Sequence, residues 1–340
     1  MGERTQRRPQ AARAHPAPRT GMAGGQPRHY AALDLGTNNC RLLIARPQGG
    51  GFAVVDAFSR IVRLGEGLGV TGRLSDAAIE RTLAALHVCA EKLRRRNVLI
   101  ARSVATEACR RAANGADFID RAYRETGIAL GIISAEEEAR LAVPGCHALL
   151  EPGDGPALVF DIGGGSTELV LVDGDGERCA VLDWHSAPWG VVSLTEAAAA
   201  SGEVTPLALY ARMRALVEGA FAPFAERLPE MAAPRRLLGT SGTVTTLASV
   251  HLGLSVYDRQ AVDGLIVPAS AMRAVSARLA GMTIGERARV PCIGSERADL
   301  VVAGCAILET ILDIWPAARL GVADRGIREG ILKRLMDTRH

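Results

Sequence analysis

The chain has 340 residues, of which 48% are apolar and 23% charged. This composition is typical of a soluble globular protein of about two domains and excludes bulk disorder. No apolar run approaches the roughly 18 residues that a membrane-spanning helix needs. Aromatic residues make up only 4%, which argues against a protein that stacks nucleic-acid bases. We therefore expect neither a membrane nor a specific nucleic acid as a partner.

The net charge of +3 is unevenly distributed along the chain. Residues 1–28 carry six arginines against one acid, which leaves a net charge of −2 for residues 29–340. Because this first segment is rich in Pro, Gly, Ala and Gln and has no apolar period, we predict a disordered basic tail, with a transit peptide as the alternative. The seven cysteines include no Cys-x-x-Cys pair, so we expect no disulfide framework or zinc cluster, and a cytoplasmic location.

Apolar periodicity predicts alternating strands and helices along the rest of the chain. In the first half we expect strands at 30–33, 41–46, 52–58, 98–105 and 128–133, and helices at 75–95 and 107–124. In the second half we expect strands at 157–161, 168–172, 236–239 and 318–322, and helices at 205–228, 243–252, 268–280, 296–313 and from 325. This order indicates an α/β fold with two similar lobes. We assign the lobes to 29–143 and 144–324, and expect a terminal helix within 325–340 that packs back on the first lobe.

Two turns of similar sequence, each at the end of a predicted strand, support the two-lobe interpretation. They are Asp34-Leu35-Gly36-Thr37-Asn38-Asn39 and, 127 residues later, Asp161-Ile162-Gly163-Gly164-Gly165-Ser166-Thr167. A glycine-rich reversal lets backbone N–H groups converge on phosphate oxygens, and the Thr, Asn and Ser side chains add further donors. Two such turns facing each other would form a phosphate-binding cleft. The alternative is two β-hairpins whose glycines only make turns.

The carboxylates beside these turns indicate a cation. A carboxylate next to a phosphate cradle would repel the phosphate unless a cation lay between them. We therefore predict that Asp34 and Asp161 bind Mg²⁺, directly or through water. Glu168, on the strand that follows the second turn, is predicted to face the cleft and hold metal-bound water. An exposed position on the strand is the alternative for Glu168.

Two further motifs have both a structural and a functional interpretation. Ser134 and Glu137 have the Ser-x-x-Glu spacing of a helix-capping box, which leaves Glu138 without a capping role. From its residue type alone, Glu138 would be a solvent-exposed glutamate. Ser241-Gly242-Thr243 precedes a predicted helix and either binds phosphate at the helix N-terminus or only caps the helix.

The motifs, taken in this order, resemble the exopolyphosphatase/guanosine pentaphosphate phosphatase family. The resemblance spans residues 30–335 and rests on the segments 32–38, 133–141, 159–169, 239–243 and 324–330. It implies the two-lobed, ribonuclease H-like fold shared by actin, hexokinase and chaperone ATPases, with the phosphate cleft between the lobes. Longer members of the family append a helical domain, so this chain resembles a short form.

The resemblance also implies roles for individual residues. The family's general base matches Glu138, and an arginine near the substrate matches Arg110. A slightly acidic body must concentrate its arginines locally to bind a polyanion, and the candidates are Arg60 with Arg63, Arg110 with Arg111, and Arg297. Of these we include Arg63 and Arg110 among the predicted substrate-binding residues. The chain departs from the family pattern at Glu107, where a small or neutral residue is usual, and at Ala135, where Gly is usual.

From these observations we expect a phosphoanhydride hydrolase that removes terminal phosphate from inorganic polyphosphate by direct attack of water. Hydrolysis of the pppGpp 5′-phosphate is a candidate second activity, Mg²⁺ the expected cofactor and K⁺ a candidate activator. Because the family commonly forms dimers, we expect a homodimer. Two alternatives remain open, namely an ATP-dependent kinase of the same superfold and a non-catalytic sensor that binds polyphosphate or pppGpp.

Overall fold

The structure is a computed structural model that describes residues 28–174, 179–202, 205–228 and 234–337. The predicted basic tail therefore lies outside the described residues, apart from Arg28. In the part of the chain that is described, no helix is long and apolar enough to cross a bilayer.

The first lobe is built on a five-stranded sheet. The strands of this sheet are β1 (His29–Leu35), β2 (Asn39–Gln48), β3 (Gly51–Ile61), β4 (Val98–Ala105) and β5 (Leu130–Ile132). Their order in the sheet is β3-β2-β1-β4-β5, and β1 pairs antiparallel with β2 and parallel with β4. Its helices are α1 (Leu68–Thr71), α2 (Asp76–Arg95), α3 (Glu107–Arg111), α4 (Gly115–Thr126) and α5 (Ala135–Cys146), followed by a 3₁₀ turn at His147–Leu149.

The second lobe repeats this arrangement in a six-stranded sheet. Its strands are β6 (Ala157–Ile162), β7 (Thr167–Gly174), β8 (Cys179–Ala187), β9 (Arg236–Thr240), β10 (Ile266–Pro268) and β11 (Arg319–Ala323). Their order in the sheet is β10-β11-β9-β6-β7-β8, and β6 pairs antiparallel with β7 and parallel with β9, as β1 does with β2 and β4. The helices are α6 (Val191–Ala199), α7 (Pro206–Arg227), α8 (Ser241–His251), α9 (Arg259–Val262), α10 (Ala269–Ala280), α11 (Ile284–Ala288), α12 (Val301–Ile314) and α13 (Ile327–Asp337).

Two helices connect the lobes. Helix α5 packs with Leu141 and Ala142 in the core of the first sheet and with Ala139 and Val143 in the core of the second. Helix α13 follows the last strand of the second sheet but packs against α5, β1 and β2. The buried face of each of these helices therefore joins elements of both halves of the chain.

The predicted helix at 107–124 is wrong in one respect, because it is broken into α3 and α4. The Asn114 side chain explains the break: its Oδ1 accepts from Leu74 N at 2.8 Å and its Nδ2 donates to Leu74 O at 3.0 Å. The chain also turns tightly between the two helices, so that a Cβ on Gly115 would lie 2.2 Å from the carbonyl oxygen of Cys109. Five elements of the second lobe were not among those predicted, namely β8, α6, α9, β10 and α11, and neither was α1 of the first lobe.

The packing of α13 on α5 leads to a stability prediction. An ideal Cβ on Gly330 would lie 1.9 Å from the carbonyl oxygen of Leu141, so Gly330→Ala must separate the two helices. We expect a loss of about 2 kcal/mol or more in the free energy of unfolding, as for overpacked cores. Gly219→Ala, within α7 and with nothing inside 4 Å of its Cβ position, is the control and should be neutral or stabilising by about 0.5–1 kcal/mol. Urea denaturation measures both, and equal effects would contradict the close packing.

Candidate functional site

Both glycine-rich turns line one cleft between the sheets, with an empty volume of about 900 Å³. The turns are closed by equivalent hydrogen bonds, from Gly36 N to Asn39 O at 2.9 Å and from Gly163 N to Ser166 O at 3.0 Å. The cleft is lined by residues 34, 36–39, 41, 106, 107, 138, 161–166, 168, 191, 241–243, 246, 297, 300, 301 and 327. Most of the predicted site residues therefore converge on one cavity.

Glycine is required in the second turn because the turns touch. A Cβ on Gly164 would lie 2.9 Å from the backbone nitrogen of Asn38, and one on Gly165 would lie 2.5 Å from Oγ1 of Thr37. At the point of contact, Thr37 Oγ1, Asn38 Oδ1 and Asn39 Oδ1 are buried and have no hydrogen-bond partner among the described residues. Buried polar atoms are normally paired, so these atoms are available to a ligand in the cleft.

Four carboxylates lie together at the bottom of the cleft. Asp34 ends β1 and Asp161 ends β6, and both are half-buried, whereas Glu138 on α5 and Glu168 on β7 are buried. Burial raises the pKa of Asp34 and of Asp161. Burial and the nearby Asp161 charge raise the pKa of Glu168 to about 7. Burial and the Glu168 charge hold the pKa of Glu138 well above its usual range.

Local capping places Glu138 in the cleft. Ser134 caps α5 as predicted, because its hydroxyl accepts from Glu137 N at 3.1 Å. The reciprocal half of the expected capping box is absent, since the Glu137 side chain instead forms an ion pair with Arg102. Glu138 is 8% exposed, so the solvent-exposed alternative is wrong. Its Oε2 accepts from Arg110 Nη1 at 2.7 Å.

Three of the predicted phosphate ligands are engaged elsewhere. Arg63 donates to both carboxylate oxygens of Asp299, at 2.8 and 3.0 Å, and lies outside the cleft lining. Thr167 donates to Trp189 O at 2.7 Å and is fully buried. Arg110 donates to Glu138 and is not among the residues that line the cleft. The predictions for Arg63 and Thr167 are therefore corrected, because distant carboxylate and carbonyl partners satisfy their donors.

Two of the described arginines line the cleft, namely Arg297, which was named as a candidate from the sequence but not included among the predicted site residues, and Arg41, which was not named at all. Arg41 lies opposite Asp34 in the β1–β2 register, the position that Glu168 holds opposite Asp161 in β6–β7. Arg297 Nη1 donates to Thr246 Oγ1 at 2.7 Å. Burial and the charge of Arg41 lower the pKa of Arg297. Arg41 could have been identified from the sequence, because it precedes Glu168 by 127 residues, the same distance that separates the two turns.

Both arginines surround the N-terminus of α8. A Cβ on Gly242 would lie 3.1 Å from Arg41 Nη2 and 4.0 Å from both terminal nitrogens of Arg297. Ser241 has a φ of 102°, a region that non-glycine residues rarely adopt. Its Oγ accepts from Thr243 N at 3.2 Å. Two guanidinium groups at a helix N-terminus create a positive concavity that suits a polyanion.

The repeated sheets and facing turns define a two-lobed α/β protein of the actin-like kind, and comparisons with known proteins identify its family. A model of the Ppx/GppA phosphatase family matches residues 43–339. Exopolyphosphatase 2 of Mycobacterium tuberculosis is 37% identical over 292 residues, which cover 83% of this chain and 89% of that protein. Guanosine-5'-triphosphate,3'-diphosphate pyrophosphatase of Aeromonas salmonicida is 30% identical over 315 residues, which cover 92% of this chain but 60% of that protein.

Solved structures agree with this result. The Ppx/GppA family member of Aquifex aeolicus superposes with a TM-score of 0.74 at 29% identity, over 92% of this chain and 99% of that one. An exopolyphosphatase from Cytophaga hutchinsonii superposes with a TM-score of 0.82 over 92% and 98% of the two chains, and at 24% identity it bears on the fold alone. The chain belongs to the Ppx/GppA phosphatase family, and the predicted two-lobed α/β fold is confirmed.

The raised pKa of Glu168 predicts a pH-dependent stability difference. A carboxyl with a pKa of about 7 in the folded protein and 4.5 as its ordinary value contributes stability that is fully present below pH 4.5 and is lost as the pH rises through 7. Glu168→Gln removes this contribution. Without divalent cations, the stability of Glu168→Gln relative to wild type should therefore increase by roughly 2 kcal/mol between pH 5.5 and 8.5.

Urea denaturation at several pH values measures this difference. Glu125→Gln removes a carboxylate that pairs with Arg121 at the surface, and its difference from wild type should stay nearly constant over the same range. A Glu168→Gln difference that is independent of pH would show that Glu168 is already ionised at low pH in the folded protein.

Proposed function

We propose that this protein is an exopolyphosphatase, which hydrolyses the terminal phosphoanhydride bond of inorganic polyphosphate, with pppGpp as a second candidate substrate. The observation that carries the proposal is the pair of touching glycine turns, whose unpaired buried polar atoms line the same cleft as the buried carboxylate of Glu138. The names of the relatives support it, since one is an exopolyphosphatase and another a guanosine-5'-triphosphate,3'-diphosphate pyrophosphatase. Neither a kinase nor a non-catalytic sensor is favoured by these names.

The charge of the cleft supports a divalent cation as cofactor. Among the described residues that line it, five are acids (Asp34, Glu107, Glu138, Asp161, Glu168) and two are arginines (Arg41, Arg297). A polyanion would be repelled by this lining unless cations accompanied it. Within the described ranges, no three His, Cys, Asp or Glu side chains are grouped so that they could hold a metal by themselves. Mg²⁺ fits such a site, because it commonly binds one or two carboxylates together with water and substrate phosphates.

In this proposal Asp34 and Asp161 hold the Mg²⁺. Both carboxylates line the cleft at the ends of equivalent strands, and they lie close enough for the Asp161 charge to raise the pKa of Asp34. When bound, the ion would neutralise negative charge on the phosphate oxygens as it develops. The pKa of both groups is raised by burial, as expected for carboxylates that await a cation.

Glu138 is the general base of the proposed reaction. Its carboxylate orients a water molecule and takes a proton from it as the water oxygen attacks the terminal phosphorus in line. The bond between that phosphorus and the bridging oxygen breaks, and the shortened polyphosphate leaves. A raised pKa makes the ionised carboxylate a stronger base than an exposed glutamate. Arg110 fixes one carboxylate oxygen, which leaves the other for the water.

The remaining polar groups bind the phosphate chain. The N–H groups of the two turns, the Thr37 hydroxyl and the side-chain amide N–H of Asn38 are the donors that surround one phosphate. Arg41 and Arg297, with the N-terminus of α8, supply the positive charge for other phosphates of the chain. Charge-assisted bonds to phosphate are about twice as strong as neutral hydrogen bonds, so these two arginines should dominate substrate affinity.

We further propose a homodimer, a cytoplasmic location and K⁺ as an activator. The location is supported by the cysteines, which form no disulfide bond within the described part of the chain, as is usual in a reducing compartment. The dimer and K⁺ rest on the family resemblance.

Loss of the general base should abolish turnover without loss of the fold. We expect Glu138→Ala to lower kcat for polyphosphate by 10² or more, since general-base assistance contributes roughly 10²–10⁴. The assay is phosphate release by purified protein with Mg²⁺ from long-chain polyphosphate, pppGpp and ATP in parallel. Glu137→Gln, which changes the neighbouring carboxylate outside the cleft, is the matched control and should keep wild-type turnover. Near-normal turnover of Glu138→Ala would refute its role, and transfer of phosphate from ATP to an acceptor would favour a kinase.

Removal of either cleft arginine should weaken substrate binding. We expect Arg41→Gln and Arg297→Gln each to raise KM for polyphosphate roughly tenfold or more, because a hydrogen bond to a charged group is worth about 1.5–3 kcal/mol. Steady-state kinetics on polyphosphate of defined length measure the change. Arg60→Gln removes an exposed charge that lies outside the cleft and should leave KM within about twofold. Equal effects of all three variants would mean that only the overall charge matters.

A further inference from the structure

Glu107 places an additional carboxylate in the phosphate cleft. It begins α3 on the first lobe, and its side chain is 15% exposed. A Cβ on Gly165 would lie 2.9 Å from its Cγ, so the side chain contacts the phosphate turn of the opposite lobe. A negative charge at this position opposes the binding of a polyanion. The function proposed above does not use Glu107.

The contacts of Arg110 show what Glu107 holds. Oε2 of Glu107 accepts from Arg110 Nε at 3.2 Å and from Arg110 Nη2 at 2.8 Å. On the other edge of the guanidinium, Nη1 donates to Glu138 Oε2 at 2.7 Å and to Ile133 O at 2.8 Å. Four of the five N–H groups of Arg110 are therefore occupied, and the guanidinium bridges Glu107 and Glu138.

We propose that Glu107 is a positioning residue that retains Arg110 on Glu138 and withholds it from the phosphates of the substrate. The inference rests on the function proposed above. A guanidinium binds phosphate oxygens bidentately and strongly, so a polyphosphate in the cleft competes with Glu138 for Arg110. Two carboxylates on opposite edges hold the guanidinium more firmly than Glu138 alone. If Arg110 moved to the substrate, Glu138 would lose the donor that fixes its Oε2.

This role predicts that KM and kcat fall together when Glu107 loses its charge, because substrate binding becomes tighter while turnover becomes slower. Glu107→Gln weakens the hold on Arg110, which then binds phosphate. Polyphosphate should bind about five- to tenfold more tightly and KM should fall accordingly, while kcat falls about tenfold because Glu138 is no longer oriented. A loss of folded protein would lower the apparent kcat without lowering KM. Glu107→Asp, which keeps the charge, should restore both values in part.

A double-variant cycle tests whether the effect passes through Arg110. Binding of inorganic polyphosphate of defined length is measured by calorimetry in EDTA with K⁺ as the accompanying cation and with phosphate release monitored, for wild type, Glu107→Gln, Arg110→Gln and the double variant. We expect the gain in affinity from Glu107→Gln to disappear when Arg110 is already Gln. The proposal is overturned if Glu107→Gln binds no more tightly than wild type. It is equally overturned if the gain persists without Arg110, since Glu107 would then act only by repelling phosphate.

The experiment includes a second neutral variant and a control variant. Glu107→Ser replaces Glu107→Gln if that protein folds poorly. Glu125→Gln removes a carboxylate from a surface ion pair, and its polyphosphate affinity should equal that of wild type. The binding cycle does not depend on catalysis. If wild-type protein releases no phosphate from polyphosphate, the proposed function fails, whereas the affinities still decide whether Glu107 restrains Arg110.

Discussion

The mutual repulsion of carboxylates buried at the junction of the two lobes is the constraint on which the cleft depends. Asp34, Glu138, Asp161 and Glu168 all line one cavity, and burial raises the pKa of each. Such a group is tolerated only when cations or protons offset the charge. Arg110 supplies part of that charge directly to Glu138. In the proposed function, a divalent cation held by Asp34 and Asp161 would offset the remainder.

The duplicated hairpins show how one backbone design serves two chemical purposes. Asp34 and Asp161 occupy equivalent positions, whereas the residues opposite them differ in sign, Arg41 in the first lobe and Glu168 in the second. The first hairpin therefore presents a guanidinium group to the cleft, and the second presents a carboxylate whose Oε1 accepts from two serine hydroxyls. Equivalent geometry thus carries opposite charges on the two sides of the cleft.

The sequence was sufficient for features that depend on local order and not for those that depend on distant partners. The two turns could be predicted because their strand, glycine and acid follow one another directly. The cap of α5 could be predicted from the spacing of Ser134 and Glu137. The ion pair of Arg63 could not, since Asp299 lies 236 positions away and nothing near Arg63 indicates it. The same holds for the break after α3, which depends on the contact of Asn114 with Leu74.

The position of Glu138 depends on packing as much as on charge. It lies in the first turn of α5, whose two buried faces contact the cores of both sheets. Close backbone contacts hold the other end of this helix: Gly145 meets Gly326, and Gly330 of α13 meets the carbonyl of Leu141. A side chain at either glycine would push α5 away from the backbone it contacts, and this shift of the helix would displace Glu138 relative to the turns. Because a displacement of about 1 Å can cost 10²-fold in rate, the glycine contacts of α5 would control the rate of the proposed reaction through the position of Glu138.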